Sequence, residues 1–339
     1  MAQEITIIGG AGFVGTNLAL AALERGHTVT VVDWDDRFGR VEQSGLDAKV
    51  NCVYTQGRAL RDVMTNPRGP VVLLAALAHV DHSLYQPSQT TSNNVGIIAE
   101  SLELCAEWKV PVLLSSSIEV YGGNRGEEPL HEEDLVNPLS PYASSKVVAE
   151  QLATTYRDKH GLDVSILRFT NLYGPWQAPD RVIPRLICQM LMSVPTQVSV
   201  GRHRDFMYVE DAVDALLRII EGNEWNFLAN LATGNPISVE ATGDSLASAL
   251  AKPVPERYAE SADGRGVDLV ATGDRLRAML TGWSPGLIQD DDSSLRTTAH
   301  WYANNKEWWE QFVTSVRSDR SDATFLTDFQ NGLTSCGDQ

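Results

Sequence analysis

Short apolar runs recur through the first half of the chain, each followed by a longer stretch whose apolar positions repeat at the helical period. ITIIGG (5–10), TVTVVD (28–33), VNCVYTQ (50–56), PVVLLAAL (70–77), PVLLSSS (111–117) and DVSILRFTN (163–171) are predicted strands. Between them, FVGTNLALAALERG (13–26, with Gly26 as its C-cap), NVGIIAESLELCAEW (94–108) and PYASSKVVAEQLATTYRDK (141–159) are predicted helices. Strands this apolar must be buried on both faces, which requires a parallel sheet covered by helices on either side. The pattern predicts a doubly wound α/β domain.

The texture changes after residue 171. YGPWQAPD (173–180) is a loop rich in Pro and Gly, a short helix and strand lead to SVGRHRD (199–205), and YVEDAVDALLRIIEG (208–222) is helical. NFLANLAT (226–233) is a further buried strand that rejoins the sheet. The expected domains are therefore 1–171 plus 206–233 for the sheet domain and 172–205 plus 234–315 for a smaller lobe, with 316–339 as a polar tail. Trp301, Trp308, Trp309 and Phe312 are expected on one helical face near the end of the lobe, as core packing.

Chemistry enters at the strand ends. GGAGFVG places Gly9, Gly12 and Gly15 between a strand and a helix. There the backbone must turn tightly, approach a pyrophosphate and pack helix on strand, while the helix N-terminus at Phe13 and Val14 offers free N–H groups to the anion. Asp33 ends the second strand, 18 residues after Gly15. A carboxylate there accepts hydrogen bonds from an unmodified ribose and repels a 2′-phosphate, which favours NAD, although Arg37 and Arg40 follow closely. SPYASSK puts Tyr142 and Lys146 one helical turn apart, with Ser140 as N-cap and Pro141 at the first helical position. A phenol is a poor base near neutral pH, and an adjacent ammonium lowers its proton affinity.

GGAGFVG, LLSSSIEVYGG, PYASSK, LRFTNLYGP, RDFMYVEDAVDAL and RGVD, in this order, resemble the extended short-chain dehydrogenase/reductase family, and within it the nucleotide-sugar epimerases and dehydratases. The resemblance runs from about residue 5 to residue 300. It implies a Rossmann-type domain holding NAD, a C-terminal lobe binding a nucleoside-diphosphate sugar, and a Ser-Tyr-Lys triad. Tyr142 would take the proton of a sugar hydroxyl, usually at C4, Lys146 would hold the nicotinamide ribose and tune Tyr142, and Ser117 would bond the reacting oxygen. Ala75, Ala76, Asn94 and Ser115 are implied to line the cofactor. Asn171, Arg204 and Arg265 are implied to contact the diphosphate sugar, with Asp268 in support. The family often has Gly-Asp after the third strand; this chain has Arg58 there, leaving the adenine contact unassigned. Relatives pair two helices per subunit in a four-helix bundle, so the helices at 94–108 and 142–159 imply a homodimer.

Composition narrows the classes. A net charge of -17 argues against nucleic-acid binding. No apolar run is long enough to span a bilayer, and MAQEITIIGG has no secretory pattern, so a cytoplasmic protein is expected. Cys52, Cys105, Cys188 and Cys336 are scattered without a CxxC pair, so neither a metal nor a disulfide framework is expected.

The reaction turns on Ile118 and Glu119. Related 4,6-dehydratases typically carry Asp-Glu after a catalytic Thr, supplying an acid and a C5 base, whereas Ser117 in place of Thr is epimerase-like. Here Glu119 matches the base, and Ile118 cannot be an acid. The reading favours a 4-epimerase. A dehydratase or decarboxylase using Glu119 is the alternative, and a non-catalytic NAD(H)-binding regulator is a remote one.

Overall fold

A computed structural model describes residues 2–124, 126, 128–258 and 268–314. The described residues form two compact units: those within 2–172, 204–236 and 268–287 make the first, and those within 173–203, 237–258 and 288–314 the second.

In the first unit, among the described residues, seven strands form one sheet: β1 (Glu4–Ile8), β2 (Thr28–Asp33), β3 (Asn51–Tyr54), β4 (Val71–Leu73), β5 (Val112–Ser117), β6 (Val164–Phe169) and β7 (Leu228–Leu231). Their order is β7-β6-β5-β4-β1-β2-β3, and the pairings are parallel. Strand order reverses at β1, between β2 and β4, which opens a crevice at the carboxyl ends where such sheets bind ligands. The main helices are α1 (Phe13–Glu24), α2 (Pro87–Trp108), α3 (Pro141–His160) and α4 (Val209–Gly222).

The two-residue period of a strand explains how both sheet faces are filled. Ile8, Val32, Leu73, Val112, Leu114, Val164 and Ile166 join Ile98, Leu102 and Cys105 of α2 and Ala149 and Ala153 of α3 in one buried cluster. Their neighbours Ile7, Val31, Val72, Leu113 and Leu167 are equally buried, so the opposite face is covered too. α1 and α4 pack against each other. The doubly wound expectation holds, with each strand somewhat shorter than its apolar run except β2, which keeps its range.

Several features differ from the sequence reading. α2 begins at Pro87, with the proline in its first turn, and not at Asn94. The polar stretch PSQTTSN carries no apolar period, which is why the pattern does not reveal that turn. Residues 268–287 fall in the first unit, where Leu269 and Ala271 pack with Leu130 and Ala232. The aromatic stripe lies on two helices, Ser293–Asn304 and Lys306–Thr314, separated at Asn305.

In the second unit the helices Val182–Leu191, Val239–Leu250 and Ser293–Asn304 pack together. Gln197–Ser199 pairs in parallel with Glu256–Tyr258. Trp301 and Trp308 meet each other and Trp176 edge-on, Trp308 also meets Phe312, and the buried Trp309 donates its indole N–H to the Tyr302 carbonyl at 2.7 Å. Edge-to-face contact with one indole N–H satisfied is core packing, as the sequence suggests. The polar tail at 316–339 lies outside the described residues.

The close approach of α1 to β1 rests on Gly15. A Cβ there would meet the Gly9 carbonyl and stand 2.6 Å from the Gly10 Cα, both backbone atoms that cannot swing away. Gly15→Ala is expected to cost ~1–3 kcal/mol in denaturant unfolding, as an overpacking change without room to relax. Gly96→Ala in α2, where an added methyl meets nothing within 4 Å, is expected to gain ~0.5–1 kcal/mol from helix propensity. Equal midpoints for the two variants would contradict this packing.

Candidate active site

The site in the first unit is built on the carboxyl end of β5 and the amino end of α3. Ser140 caps α3, its Oγ accepting from the Ala143 N–H at 3.1 Å, and Pro141 occupies the first turn. This fixes the phase of the helix, so that Tyr142 and Lys146 both turn inward and are buried. The Lys146 ammonium donates to the Ser115 carbonyl at 2.8 Å and lies 5.9 Å from the centre of the Tyr142 ring. Burial lowers the lysine to about 8, opposed by the negative charge of Glu150. The lysine's proton is thus held loosely beside the Tyr142 ring.

Ser117 ends β5 and is buried. Its Oγ accepts from the Glu119 N–H at 3.2 Å, capping a 3₁₀ turn over Ile118–Tyr121, and the hydroxyl keeps its own proton to donate. Glu119 is half-buried on that turn. Ile118 points into an apolar cluster with Val120, Tyr121, Leu130 and Leu269.

The glycine loop is drawn tightly over the sheet. Gly9 and Gly10 donate to the Val32 carbonyl at 2.8 and 3.2 Å, and Gly12 donates to Gly9 at 3.1 Å. Gly9 has φ +90° and a Cβ there would lie 2.5 Å from the Ala75 nitrogen, so neither the backbone nor the space admits a side chain. Ala75 in turn donates to the Ile8 carbonyl at 2.9 Å, and Ala76 follows it, half-buried. No side chain caps α1 and no acidic residue lies in its first turn, so the N–H groups at Phe13, Val14 and Gly15 face no competing carboxylate from their own turn. These features fit the pyrophosphate of a dinucleotide.

Asp33 stands beside the loop. Its Oδ2 accepts from the Ala11 N–H at 2.9 Å and its Oδ1 from the Trp34 N–H at 2.7 Å. It keeps some exposure to solvent, and the protein packed around it pushes the carboxyl up to about 6, against the pull of those two N–H groups. Each oxygen retains a lone pair for a ribose hydroxyl. Arg40 is buried nearby, its guanidinium 4.3 Å over the Phe38 ring, while Arg37 is exposed. Arg58 donates to the Thr55 and Tyr54 carbonyls at 3.2 and 2.9 Å, closing the turn after β3.

Asn94 lies two turns inside α2. Its Oδ1 accepts from Leu77 N–H at 2.7 Å, and its Nδ2 donates to Ser145 Oγ at 3.0 Å and to the Leu77 carbonyl at 3.3 Å. It therefore ties the loop after β4 to the residue preceding Lys146. Ser115 donates its hydroxyl to the Leu73 carbonyl at 2.9 Å.

On the expected sugar side, Asn171 donates its N–H and Nδ2 to the Asp205 carbonyl, both at 3.3 Å. Arg204 lies 3.9 Å from Asp268, both partly exposed, so that pair is loose. Arg265 falls outside the described residues. Asp205 is fully buried and was not singled out from sequence: its carboxylate accepts from the Thr233 N–H at 3.0 Å, Thr233 Oγ1 at 2.5 Å and the Gly234 N–H at 3.2 Å. Burial lifts it to about 6.

A second group that sequence reading passed over lies behind the triad. Ser116 donates to Glu150 Oε1 at 2.5 Å, and Arg168 grips the same carboxylate with two bonds, 2.9 and 2.7 Å. Arg168 also donates to Tyr121 Oη at 2.8 Å, and Tyr121 to Asn230 Oδ1 at 2.8 Å. The signal was available: Arg168 is a lone charge inside an apolar central strand, and Glu150 is one turn beyond Lys146. Among the described residues no cluster of His, Cys, Asp and Glu is arranged to hold a metal ion, and no helix is long and apolar enough to cross a membrane.

Comparison with known proteins gives this geometry its context. A family model described as the NAD dependent epimerase/dehydratase family matches residues 5–226. A dTDP-D-glucose 4,6-dehydratase from Dictyostelium discoideum is 30% identical over 258 residues, spanning 70% of this chain and 59% of that protein's length. A UDP-glucuronate 4-epimerase from Thermodesulfobacterium geofontis is 29% identical over 89% of this chain and 96% of its own length. Among solved structures, an NAD-dependent NDP-hexosamine 5,6-dehydratase involved in tunicamycin biosynthesis superposes with a TM-score of 0.77 at 28% identity, over 89% of this chain and 98% of that one. With the match extending over most of the chain, and a dinucleotide loop, a parallel sheet and a buried Tyr–Lys pair where the match lies, this chain belongs to the NAD-dependent epimerase/dehydratase family.

Proposed function

We propose that the protein is a nucleotide-sugar 4-epimerase. Its substrate is a nucleoside-diphosphate sugar, and its proton-transfer residues are Ser117, Tyr142 and Lys146. NAD, when bound, supplies the acceptor and later the donor of a hydride at the sugar carbon. Tyr142 Oη takes the proton from the C4 hydroxyl and returns it after the sugar has presented its other face. Lys146, fixed on the Ser115 carbonyl, favours the phenolate form. Ser117 donates to the reacting oxygen and keeps it in line with Tyr142. The glycine loop and the α1 N-terminus would hold the cofactor's pyrophosphate, and Asp33 its adenosine ribose. Ala75, Ala76, Asn94 and Ser115 would border it. Asn171, Arg204 and Arg265 would take the diphosphate, since guanidinium forks match phosphate oxygens.

The observation that carries the choice of reaction is the placement of Ile118. Its side chain is buried in an apolar cluster, so the position after Ser117 offers no acid to expel a hydroxyl at C6. Epimerisation needs none. A second reading, a dehydratase, draws support from the half-buried Glu119 beside Ser117 and from the similarity to dehydratases. Incubation with UDP-, dTDP- and GDP-sugars, followed by chromatography and mass spectrometry, separates the two. An isobaric product is expected; loss of water selects the dehydratase, and no turnover of any sugar restores the regulator.

Tyr142→Phe is expected to lower sugar-dependent cofactor reduction by roughly a thousandfold or more, since general acid–base groups contribute about 10²–10⁴; retained reduction sinks the mechanism. Glu119→Gln should leave inversion within a few-fold of wild type, whereas loss of an unsaturated or keto product with cofactor reduction retained would make Glu119 the C5 base. The Asp33 carboxyl titrates at about 6 and its charged form accepts from the ribose. NAD affinity should therefore fall as pH drops through that value. Asp33→Asn should bind NAD about tenfold more weakly, with that pH dependence flattened, as expected for loss of a charge-assisted hydrogen bond; a calorimetric titration showing an unchanged slope would remove Asp33 from the site. Leu84, Tyr85 and Val148 are exposed apolar side chains on or beside the helices expected to pair between subunits. Light scattering should report a dimer.

A further inference from the structure

We infer that Glu150 is a positioning residue that couples the end of β5 to the amino half of α3, and so fixes the Lys146 ammonium and the Ser117 hydroxyl together. The inference rests on the proposed role of the triad and deepens it.

Ser116 sits between the residue whose carbonyl receives Lys146 and the residue proposed to bond the substrate, and strand alternation turns its side chain away from theirs. Its hydroxyl donates to Glu150 Oε1 at 2.5 Å. Glu150 is one turn beyond Lys146 on α3, so one carboxylate fixes strand to helix beside the Lys146–Ser115 bond at 2.8 Å. The carboxylate cannot drift, because Arg168 of β6 holds both its oxygens in a fork, and both side chains are buried. A strand end fastened in this way has its neighbours on either side set with it.

The same placement acts on charge. The charged and titratable groups around Glu150 are Arg168 on β6, Lys146 on its own helix and, through Arg168, Tyr121 of the 3₁₀ turn and the backbone carbonyl of Glu132. Further along, the Glu132 carboxylate is taken by the Asn230 N–H and lies 3.7 Å from Arg275. Burial alone draws the Lys146 proton off, and the Glu150 charge opposes that loss. Arg168 holds the carboxylate in place through two bonds and also donates to Tyr121 Oη and the Glu132 carbonyl. A carboxylate in this position favours the ammonium state of Lys146.

The test is the pH profile of sugar-dependent cofactor reduction, read with KM. Glu150→Gln keeps the shape and removes the charge. Its alkaline limb, where Lys146 loses its proton, should move down by about one pH unit, with an approximately fivefold fall in rate at the wild-type limb midpoint and KM within about twofold. Lys146 should also label faster with acetic anhydride near neutral pH, located by mass spectrometry, because more of the amine is neutral. Ser116→Ala leaves every charge in place and removes the tether, so its rate should fall about three- to tenfold at all pH values with the limb unmoved. A uniform loss in Glu150→Gln with the limb and labelling unmoved assigns Glu150 to folding alone and overturns the inference, as does an unchanged rate in Ser116→Ala. If Glu150→Gln does not fold, Glu150→Gln with Arg168→Gln removes the buried pair together; its limb should move in the same direction, and an unmoved limb again overturns the inference. Retained reduction in Tyr142→Phe would instead remove the underlying triad, whatever the limb does.

Discussion

A buried ammonium on a single backbone carbonyl organises this protein. Lys146 reaches the Ser115 carbonyl only because β5 ends where α3 begins its second turn, and that juxtaposition depends on the whole parallel sheet beneath it. Taking a cation out of water is costly, so the fold surrounds it with what a cation needs: a carbonyl at 2.8 Å, an aromatic ring nearby and a carboxylate one turn away. The result is a lysine that holds its proton weakly beside the Tyr142 ring.

The cofactor end follows from the same economy of backbone. Where β1 reverses the strand order, the glycine loop bends back on Val32 and lies against Ala75 with no room for a methyl group at Gly9. Asp33 closes the arrangement by binding Ala11 in the loop itself. The carboxylate thus shapes the loop as well as offering itself to a ribose. NAD is the cofactor of the family to which the chain belongs.

Much of this was legible in the sequence because it rests on periodicity and on spacing. The alternation of apolar runs and helices fixes a doubly wound sheet, Ser140-Pro141 marks the start of α3, and one helical turn separates Tyr142 from Lys146. The early start of α2 was not legible, because its first turns are polar and their tie to the loop after β4 runs through Asn94. The Ser116–Glu150–Arg168 group escaped because its members are far apart in the chain and meet only when β5, β6 and α3 pack. Ser116, the middle serine of LLSSS, faces α3 through its bond to Glu150. Asp205 escaped for a similar reason: a carboxylate satisfied by Thr233 and Gly234 looks like any surface aspartate until β7 is in place. In both cases burial, which no motif records, distinguishes the residue.

The central claim is that the sugar is oxidised and reduced at one carbon, with no proton removed from the next. Turnover in deuterium oxide tests it most directly. The account predicts a product of unchanged mass, apart from hydroxyl exchange, with no deuterium bound to carbon when the sugar is examined by mass spectrometry and NMR. Deuterium appearing on carbon together with loss of water would contradict it and make Glu119 the residue on which the chemistry depends.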